Sequence, residues 1–338
     1  MIDTTGNFDI ERLVAAPSVL PLDPIPTPLR ETKHFVHTDE VPDGCIVLGE
    51  PSEDSFGHPV DMMQVTYATR ALPDGSTVDL PMYVFTPGVD NMPEGEIPEG
   101  GWPVIVFVRG SAFHEQNVLD YLNYYVRIAE RGYVVAAVKY RASDYAPFPA
   151  QMQDCKTAVR WMRANAERFH CNKERVALWG DSSGGHTVLM AGFTGDHEPD
   201  TPDLAGESAA VSCIIDWYGP TDFAMMSHYP SSQNHHDPDC PEGVELGGVD
   251  VLDHPELNRA ASPMTYLSAD RPTPPTLIMH GGRDQLVPFN QSCRLYATMK
   301  ALGKDVTFYK LDNACHACYG FRSDKAIALT LDWLKERL

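Results

Sequence analysis

The chain has 338 residues, 43% of them hydrophobic and 22% charged, which is the composition of a globular protein large enough for one α/β domain. The formal net charge of −21 disfavours nucleic acid and anionic membranes as partners, and a neutral or cationic partner fits this charge better. The N-terminus lacks the features of a secretory signal, and no segment reaches the roughly 20 apolar residues of a membrane span. We therefore expect a cytoplasmic protein; the oligomeric state, a homo-oligomer included, stays open.

The chain begins with a proline-rich segment over residues 1–60, which predicts an extended arm. Two strand-like runs follow, at residues 62–69 and 78–86, and the turn-forming residues 73–76 between them indicate a hairpin. Residues 92–103 are rich in proline and glycine and are predicted to form a loop. Regular structure should therefore begin only after the arm.

Short apolar runs alternate with helical patterns in the rest of the chain. The runs are residues 104–108, 133–138, 176–179, 212–215, 276–279 and 306–311. This alternation is typical of an α/β fold with a mostly parallel sheet and helices on both faces. Apolar residues from Met152 to Phe169 recur at steps of three and four and predict one such helix. A last helix is predicted to begin at Ser323, a good N-cap. Its inward residues are Ile327, Leu331 and Leu334.

A polar, histidine-containing stretch at residues 221–261 interrupts the alternation. An insertion between two strands is typical of a cap or a pocket rim. The histidines and the cysteine of this stretch are interpreted as cap surface and not as metal ligands. Cys315 and Cys318 have C-x-x-C spacing, but no second pair completes a structural zinc site, so metal or redox use is the less favoured interpretation. The other cysteines are spread singly, as reduced side chains are, and do not indicate a disulfide framework.

The segment Gly180-Asp181-Ser182-Ser183-Gly184 stands between an apolar run and a helix start. G-x-S-x-G in this context predicts a nucleophile elbow, a turn so tight that the positions two before and two after the serine must be glycine. Such a turn lifts the serine hydroxyl clear of the sheet. Ser182 is therefore the candidate nucleophile.

A serine nucleophile needs a base and an acid to orient the base, which follow it on this scaffold in the order acid, then histidine. Asp284 follows the run 276–279 and His316 follows the run 306–311, so both are predicted at the carboxyl edge of the sheet. Asp284 as a helix N-cap, with Asp312 as the acid, is the alternative. His186 lies inside the helix after the elbow and is interpreted as structural.

The tetrahedral intermediate of acyl transfer needs N–H donors for its oxyanion. One donor is predicted to be the backbone N–H of Ser183, which follows the nucleophile at a helix N-terminus. The other should come from the loop after the run 104–108, which reads Arg109-Gly110-Ser111-Ala112-Phe113. These two segments therefore form the predicted oxyanion hole.

Several motifs together carry a family resemblance. They are Tyr140-Arg141, residues 146–150, 159–161, 180–185, 217–222, 261–263 and 279–281. Through them the chain resembles the α/β-hydrolase superfamily, in its esterase/lipase group of hormone-sensitive-lipase-like and acetyl- and feruloyl-esterase-like carboxylesterases. The resemblance runs from about Gly101 to the C-terminus. From it and the two strand-like runs before it, we expect an α/β-hydrolase catalytic domain over residues 61–338, with the cap inserted at about 221–261.

By the same resemblance Ser182, Asp284 and His316 align with the catalytic triad. Ser111 and Ala112 align with the glycines that donate oxyanion N–H groups, in a loop where the family usually has His-Gly-Gly-Gly. Arg109 replaces the histidine; it either meets an acidic substrate group or braces the loop, and we favour bracing.

These observations predict a serine hydrolase that cleaves a small-molecule carboxylic ester through an acyl-enzyme and needs no cofactor. Phe113, Arg109 and the pair Trp217-Tyr218 are the candidate substrate contacts, which favours a small or aromatic acyl group. A prolyl-oligopeptidase-type peptidase is one alternative, although such enzymes usually carry a larger N-terminal domain. A non-catalytic ligand receptor on the same scaffold, as the gibberellin receptors are, is the other; those receptors lose the catalytic histidine.

Overall fold

A computed structural model of the protein describes residues 57–72, 74–88 and 97–338. Residues 1–56 of the predicted arm lie outside these ranges. Residue 73 of the predicted hairpin turn and residues 92–96 of the predicted loop lie outside them too. The boundary between arm and catalytic domain therefore stays a prediction. Within the described ranges no helix combines the length and the apolar character that a membrane crossing requires.

One sheet of eight strands organises the described residues. Its strands are β1 (Val60–Ala71), β2 (Thr77–Pro87), β3 (Trp102–Val108), β4 (Val134–Val138), β5 (Cys171–Asp181), β6 (Cys213–Trp217), β7 (Thr276–Gly281) and β8 (Val306–Leu311). Their order in the sheet is β1-β2-β4-β3-β5-β6-β7-β8. The hairpin β1/β2 and the pair β2/β4 are antiparallel, and all other neighbours are parallel. The predicted mostly parallel sheet is confirmed.

Helices fill the connections between the strands. They are α1 (Leu122–Ala129), α2 (Ala150–Ala164), α3 (Ser183–Thr194), α4 (Phe223–Met226), α5 (Pro241–Glu245), α6 (Pro255–Ala261), α7 (Asn290–Ala301) and α8 (Asp324–Lys335). Short 3₁₀ turns lie at Val118–Tyr121, Ala166–Phe169, Pro263–Tyr266 and Tyr319–Arg322.

The core lies in two layers, one on each face of the sheet. Side chains alternate along a strand, so Val104 and Val106 of β3 pack into one layer and Ile105 and Phe107 into the other. Helices α2, α3 and α7 cover the first face, and α1 and α8 cover the second. This is the three-layer arrangement of the α/β-hydrolase fold, as the sequence predicts.

Some element ends differ from the expectation. The apolar stripe of α2 predicts a helix to Phe169, but α2 ends at Ala164, because Asn165 leaves the helical region at φ −113° and the chain continues as a 3₁₀ turn. The predicted start of the last helix is confirmed, since Ser323 Oγ accepts a hydrogen bond from the N–H of Ala326 at 3.3 Å.

The predicted insertion between β6 and β7 contains the short helices α4, α5 and α6. They enclose a small apolar cluster of their own together with Phe113 from the loop after β3. The members contributed by the insertion are Phe223, Cys240, Leu246, Val251 and Ala261. The insertion is therefore a packed cap that is anchored on the loop beside the elbow.

Candidate active site

Ser182 occupies a sharp turn between β5 and α3, with φ 52° and ψ −126°. A non-glycine residue persists in such a conformation only where its surroundings enforce it. A Cβ on Gly180 would lie 2.3 Å from Gly184 O, and one on Gly184 would lie 2.0 Å from Val108 O, so both positions must be glycine. The N–H of Ser182 donates to Trp217 O at 2.9 Å. The turn has the geometry that the pentapeptide predicts.

The side chains of Ser182, His316 and Asp284, each of which follows a different strand, form one chain of hydrogen bonds. Ser182 Oγ lies 2.9 Å from His316 Nε2, and His316 Nδ1 lies 2.8 Å from Asp284 Oδ2. An ionised carboxylate only accepts, so Nδ1 of His316 carries the hydrogen and Nε2 is left to accept from the Ser182 hydroxyl. The three residues singled out in the sequence therefore lie within direct reach of one another.

Asp284 is held in the ionised state. Burial raises the pKa of this carboxyl, but the hydrogen bonds and charges of His280 and His316 outweigh burial and bring the pKa to about 2. Its Oδ1 accepts the N–H groups of Leu286 and Val287 at 2.9 and 3.0 Å. The carboxylate is thus anchored on one oxygen while the other faces His316.

The alternative candidates lie elsewhere. The side chain of Asp312 is exposed and pairs with Lys310 at 2.7 Å, away from this chain of hydrogen bonds. His186 is buried, its Nε2 lies 2.7 Å from Ala261 O, and its ring stacks on Phe223. Burial lowers the pKa of His186 to about 4, although the bond to Ala261 O opposes this, so the ring is neutral. These contacts fit the structural role expected of His186.

The loop after β3 is fixed to the elbow by its backbone. The N–H of Gly110 donates to Asp181 Oδ1 at 3.0 Å, and the N–H of Ser111 donates to Ser183 Oγ at 2.9 Å. Among the described residues neither the N–H of Ala112 nor that of Ser183 has an acceptor, and both residues line the cavity beside Ser182. Of the two loop residues considered, Ala112 therefore has the free donor.

Arg109 contacts its own loop region as a brace would. Its Nη2 donates to Asp120 Oδ2 at 3.0 Å, and its guanidinium lies 4.9 Å from the centre of the Tyr121 ring. Arg109 also lines the cavity, so part of its side chain lies beside the space above Ser182.

A cavity of about 250 Å³ opens above Ser182 and His316. Part of its wall is apolar: Ala112, Phe113, Pro220, Pro241, Leu286 and Val287. The cap adds a polar part made by Gln233, His235 and Glu242. His235 and Glu242 were not among the predicted site residues, because they stand in a stretch whose only signal is its polarity.

Two of the candidate substrate contacts lie outside the wall of the cavity. Trp217 and Tyr218 do not line this cavity. Trp217 is fully buried against Trp179 in the layer that α1 and α8 cover, with ring centres 5.1 Å apart. Tyr218 is buried too and sets its ring edge against His316, 4.7 Å between ring centres. The Trp217 side chain at the end of β6 packs into this layer, whereas Phe113 lines the cavity.

Comparison with known proteins agrees with the fold. Residues 92–299, more than half of the chain, match the BD-FAE family model. Esterase LipC of Mycobacterium tuberculosis is 28% identical over 236 residues, which are 65% of this chain and 54% of LipC. Carboxylesterase NlhH of the same species is 28% identical over 202 residues, 56% of this chain and 56% of NlhH. The chain spans about half the length of the curated relatives it matches.

Solved structures share the architecture as well. A truncated form of a carbohydrate esterase from gut microbiota has a TM-score of 0.68 at 26% identity, and the match covers 85% of this chain and 98% of that one. An esterase from Thermogutta terrifontis has a TM-score of 0.62 at 21% identity, and the match covers 86% of this chain and 97% of that one. At this identity the match shows a similarity of fold. The chain belongs to the BD-FAE family, within the α/β-hydrolase esterase/lipase group.

Proposed function

We propose that the protein is a serine hydrolase of carboxylic esters, with Ser182 as nucleophile, His316 as base and Asp284 as the acid that orients the base. The observation that supports this most strongly is the chain of hydrogen bonds, 2.9 Å from Ser182 Oγ to His316 Nε2 and 2.8 Å from His316 Nδ1 to Asp284 Oδ2. Membership of the BD-FAE family and the relatives named as esterases support the same reaction class.

In the first half of the reaction His316 Nε2 takes the proton of Ser182 as the serine oxygen attacks the ester carbonyl carbon. The carboxylate of Asp284 stabilises the imidazolium that forms and keeps the ring in the required tautomer. The same proton then passes from His316 to the leaving alcohol, and an acyl group remains on Ser182. Water, activated by His316, hydrolyses this acyl-enzyme in the second half.

The carbonyl oxygen becomes negatively charged in each half of the reaction. We assign its stabilisation to the free N–H groups of Ala112 and Ser183. Loss of one such donor typically lowers the rate by about 10²-fold to 10³-fold. The position of Ser183 at the start of α3 adds the favourable end of the helix dipole.

The cavity supports a short acyl group. Its volume of about 250 Å³ lies below the range of roughly 300–1,000 Å³ that is usual for drug-sized ligands. Between the small and the aromatic acyl classes that the sequence leaves open, we therefore propose the small one. Long acyl chains would require the cap to move.

The test is labelling of the purified protein with a fluorophosphonate probe, combined with hydrolysis of p-nitrophenyl esters from acetate to decanoate. We expect labelling and turnover in the native protein, fastest with the shortest esters, and neither in Ser182→Ala. Ser268→Ala is the matched control, because Ser268 is an exposed serine outside the cavity. A native protein that is not labelled, or a Ser182→Ala variant labelled as strongly, would overturn the proposal.

A further inference from the structure

We propose that the cap also positions the catalytic acid, through Ser231, Ser232 and His235, and that these three are positioning residues for Asp284. This inference rests on the proposed function only for its kinetic readout. It concerns a part of the cap whose contact with the acid loop (residues 284–287, the turn that holds Asp284) has no counterpart in the sequence motifs.

Two consecutive peptide units of the acid loop lie between Asp284 and the cap. In the first, the N–H of Leu286 donates to Asp284 Oδ1 at 2.9 Å, and the carbonyl of Gln285 accepts the N–H and the hydroxyl of Ser232, each at 2.8 Å. The N–H of this peptide unit is therefore bonded to Asp284, and its carbonyl is bonded to the cap.

The second peptide unit repeats the arrangement. Its N–H, from Val287, donates to Asp284 Oδ1 at 3.0 Å. Its carbonyl, from Leu286, accepts a hydrogen bond from the Ser231 hydroxyl at 2.8 Å and lies 3.0 Å from His235 Nε2. The cap thus binds the carbonyl of every peptide unit whose N–H holds Oδ1 of the acid.

The rigidity of the peptide group turns this into a positioning device. A peptide unit is planar with its C=O and N–H pointing in opposite directions, so a carbonyl held on one side fixes the direction of the N–H on the other. If the cap released the carbonyls of Gln285 and Leu286, both units could rotate and the two donors would leave Asp284. Asp284 would then face His316 without its anchor.

His235 is built into the cap for this contact. Its side chain is buried, and its Nε2 lies 2.8 Å from Ser231 Oγ and 3.0 Å from Leu286 O. A carbonyl oxygen only accepts, so the contact with Leu286 O is a hydrogen bond when Nε2 carries the hydrogen. Nδ1 of the same ring lies 3.1 Å from Glu242 Oε2, on α5. His235 and Glu242 both line the cavity, so one of the residues that contact the acid loop also belongs to the wall of the site.

The test compares His235→Ala with His235→Gln and with His236→Ala. Glutamine keeps an N–H donor near the position of Nε2, while alanine removes it. His236 is the matched control: it is the next residue of the cap, half-exposed, and pairs with Asp237 and Asp250 without contacting the acid loop. Kinetics with a short p-nitrophenyl ester give kcat and KM separately. The downfield proton NMR signal of the His316 Nδ1–H···Asp284 bond reports the placement of the acid without any turnover.

We expect His235→Ala to lower kcat by about 10-fold to 100-fold with little change in KM, and to shift or broaden the NMR signal. His235→Gln should recover part of the kcat and part of the native NMR signal. His236→Ala should leave kcat and the NMR signal as they are in the native protein. If His235→Ala does not fold, Ser231→Ala is the variant to use, because it removes one donor to Leu286 O. It should lower kcat and shift the NMR signal in the same direction, by a smaller amount. Native kcat and an unchanged signal in the folded variants would overturn the inference. A native protein that shows the signal but hydrolyses no ester would overturn the proposed function instead.

Discussion

The backbone N–H of Ser111 donates a hydrogen bond to the side chain of Ser183, with 2.9 Å between nitrogen and Oγ. This bond ties the loop after β3 to the residue that directly follows the nucleophile. The hydroxyl of Tyr140 lies 3.1 Å from Ser111 Oγ and 3.2 Å from Ser183 Oγ and joins the two. The N–H of Ser111 is thereby occupied, so Ala112 supplies the free loop donor in the mechanism proposed above.

Replacing Ser183 by alanine removes the acceptor of this bond and leaves the backbone N–H of residue 183 in place. We expect kcat for a short ester to fall by about 3-fold to 10-fold with KM nearly unchanged. A neutral hydrogen bond contributes about 1 kcal/mol, and its loss acts here on the position of a donor used in the transition state. Steady-state kinetics of the purified variant measure the effect.

Ser111→Ala is the control for this variant, because it keeps the N–H bond to Ser183 and removes only the Ser111 hydroxyl. Its kcat should fall less than that of Ser183→Ala. An increase of kcat in Ser183→Ala would contradict the assignment, since it would show that a released Ser111 N–H serves the oxyanion better than Ala112 does.

Chain order and strand ends were enough to predict that Ser182, Asp284 and His316 lie close together, because parallel strands bring their carboxyl ends to one edge of the sheet. The loop after β3 was not predictable in the same way. Ala112 and Phe113 have φ values of 54° and 65°, which local propensity does not indicate for non-glycine residues. The contact of His235 with Leu286 joins residues 51 positions apart, and no pattern within the cap points to it. The cytoplasmic location and the oligomeric state stay predictions.

The elbow glycines should be irreplaceable for steric reasons. A Cβ at position 184 would lie 2.0 Å from Val108 O, so Gly184→Ala must push the elbow away from β3. We expect a loss of stability of about 3 kcal/mol or more and no fluorophosphonate labelling. Denaturant unfolding measures the first and gel fluorescence the second.

Gly206→Ala is the matched substitution, because a Cβ there has no atom within 4 Å. Its unfolding midpoint and its labelling should equal those of the native protein. Full labelling of Gly184→Ala would show that the turn tolerates a side chain, contrary to the geometry.

Trp217 lies in a core layer and outside the cavity wall, so its substitution should change stability and leave substrate selectivity unchanged. Trp217→Phe shrinks a side chain in the layer beneath α1 and α8, so we expect a loss of about 1–3 kcal/mol in unfolding free energy. The ratio of kcat/KM for p-nitrophenyl butyrate to that for acetate should not change. Phe113→Leu, by contrast, alters the wall of the cavity and should raise this ratio a few-fold. A shifted ratio in Trp217→Phe with native selectivity in Phe113→Leu would contradict the cavity assignment.

A buried carboxyl in the cap makes stability depend on pH. Glu245 of α5 is buried, and burial raises its pKa to about 8, although the hydrogen bond from Ser143 Oγ opposes this. The ordinary pKa of a glutamate is 4.5, so between pH 4.5 and pH 8 the folded protein holds a proton that the unfolded chain has released. By linkage, this group's contribution to stability is complete below pH 4.5 and is lost as the pH rises towards 8.

Glu245→Gln removes this titration and keeps an oxygen that can accept from Ser143. Relative to the native protein, the variant should therefore gain stability as the pH rises from 5 to 8, by at most about 1.4 kcal/mol per pH unit. Urea unfolding at several pH values measures the difference.

Burial also raises the pKa of Asp216 to about 8, but that group is present in both proteins and cancels in the comparison. Glu256→Gln, at an exposed position of α6, controls for the loss of one cap charge. If the native and Glu245→Gln curves run parallel from pH 5 to 8, Glu245 is not held in its protonated form by the cap.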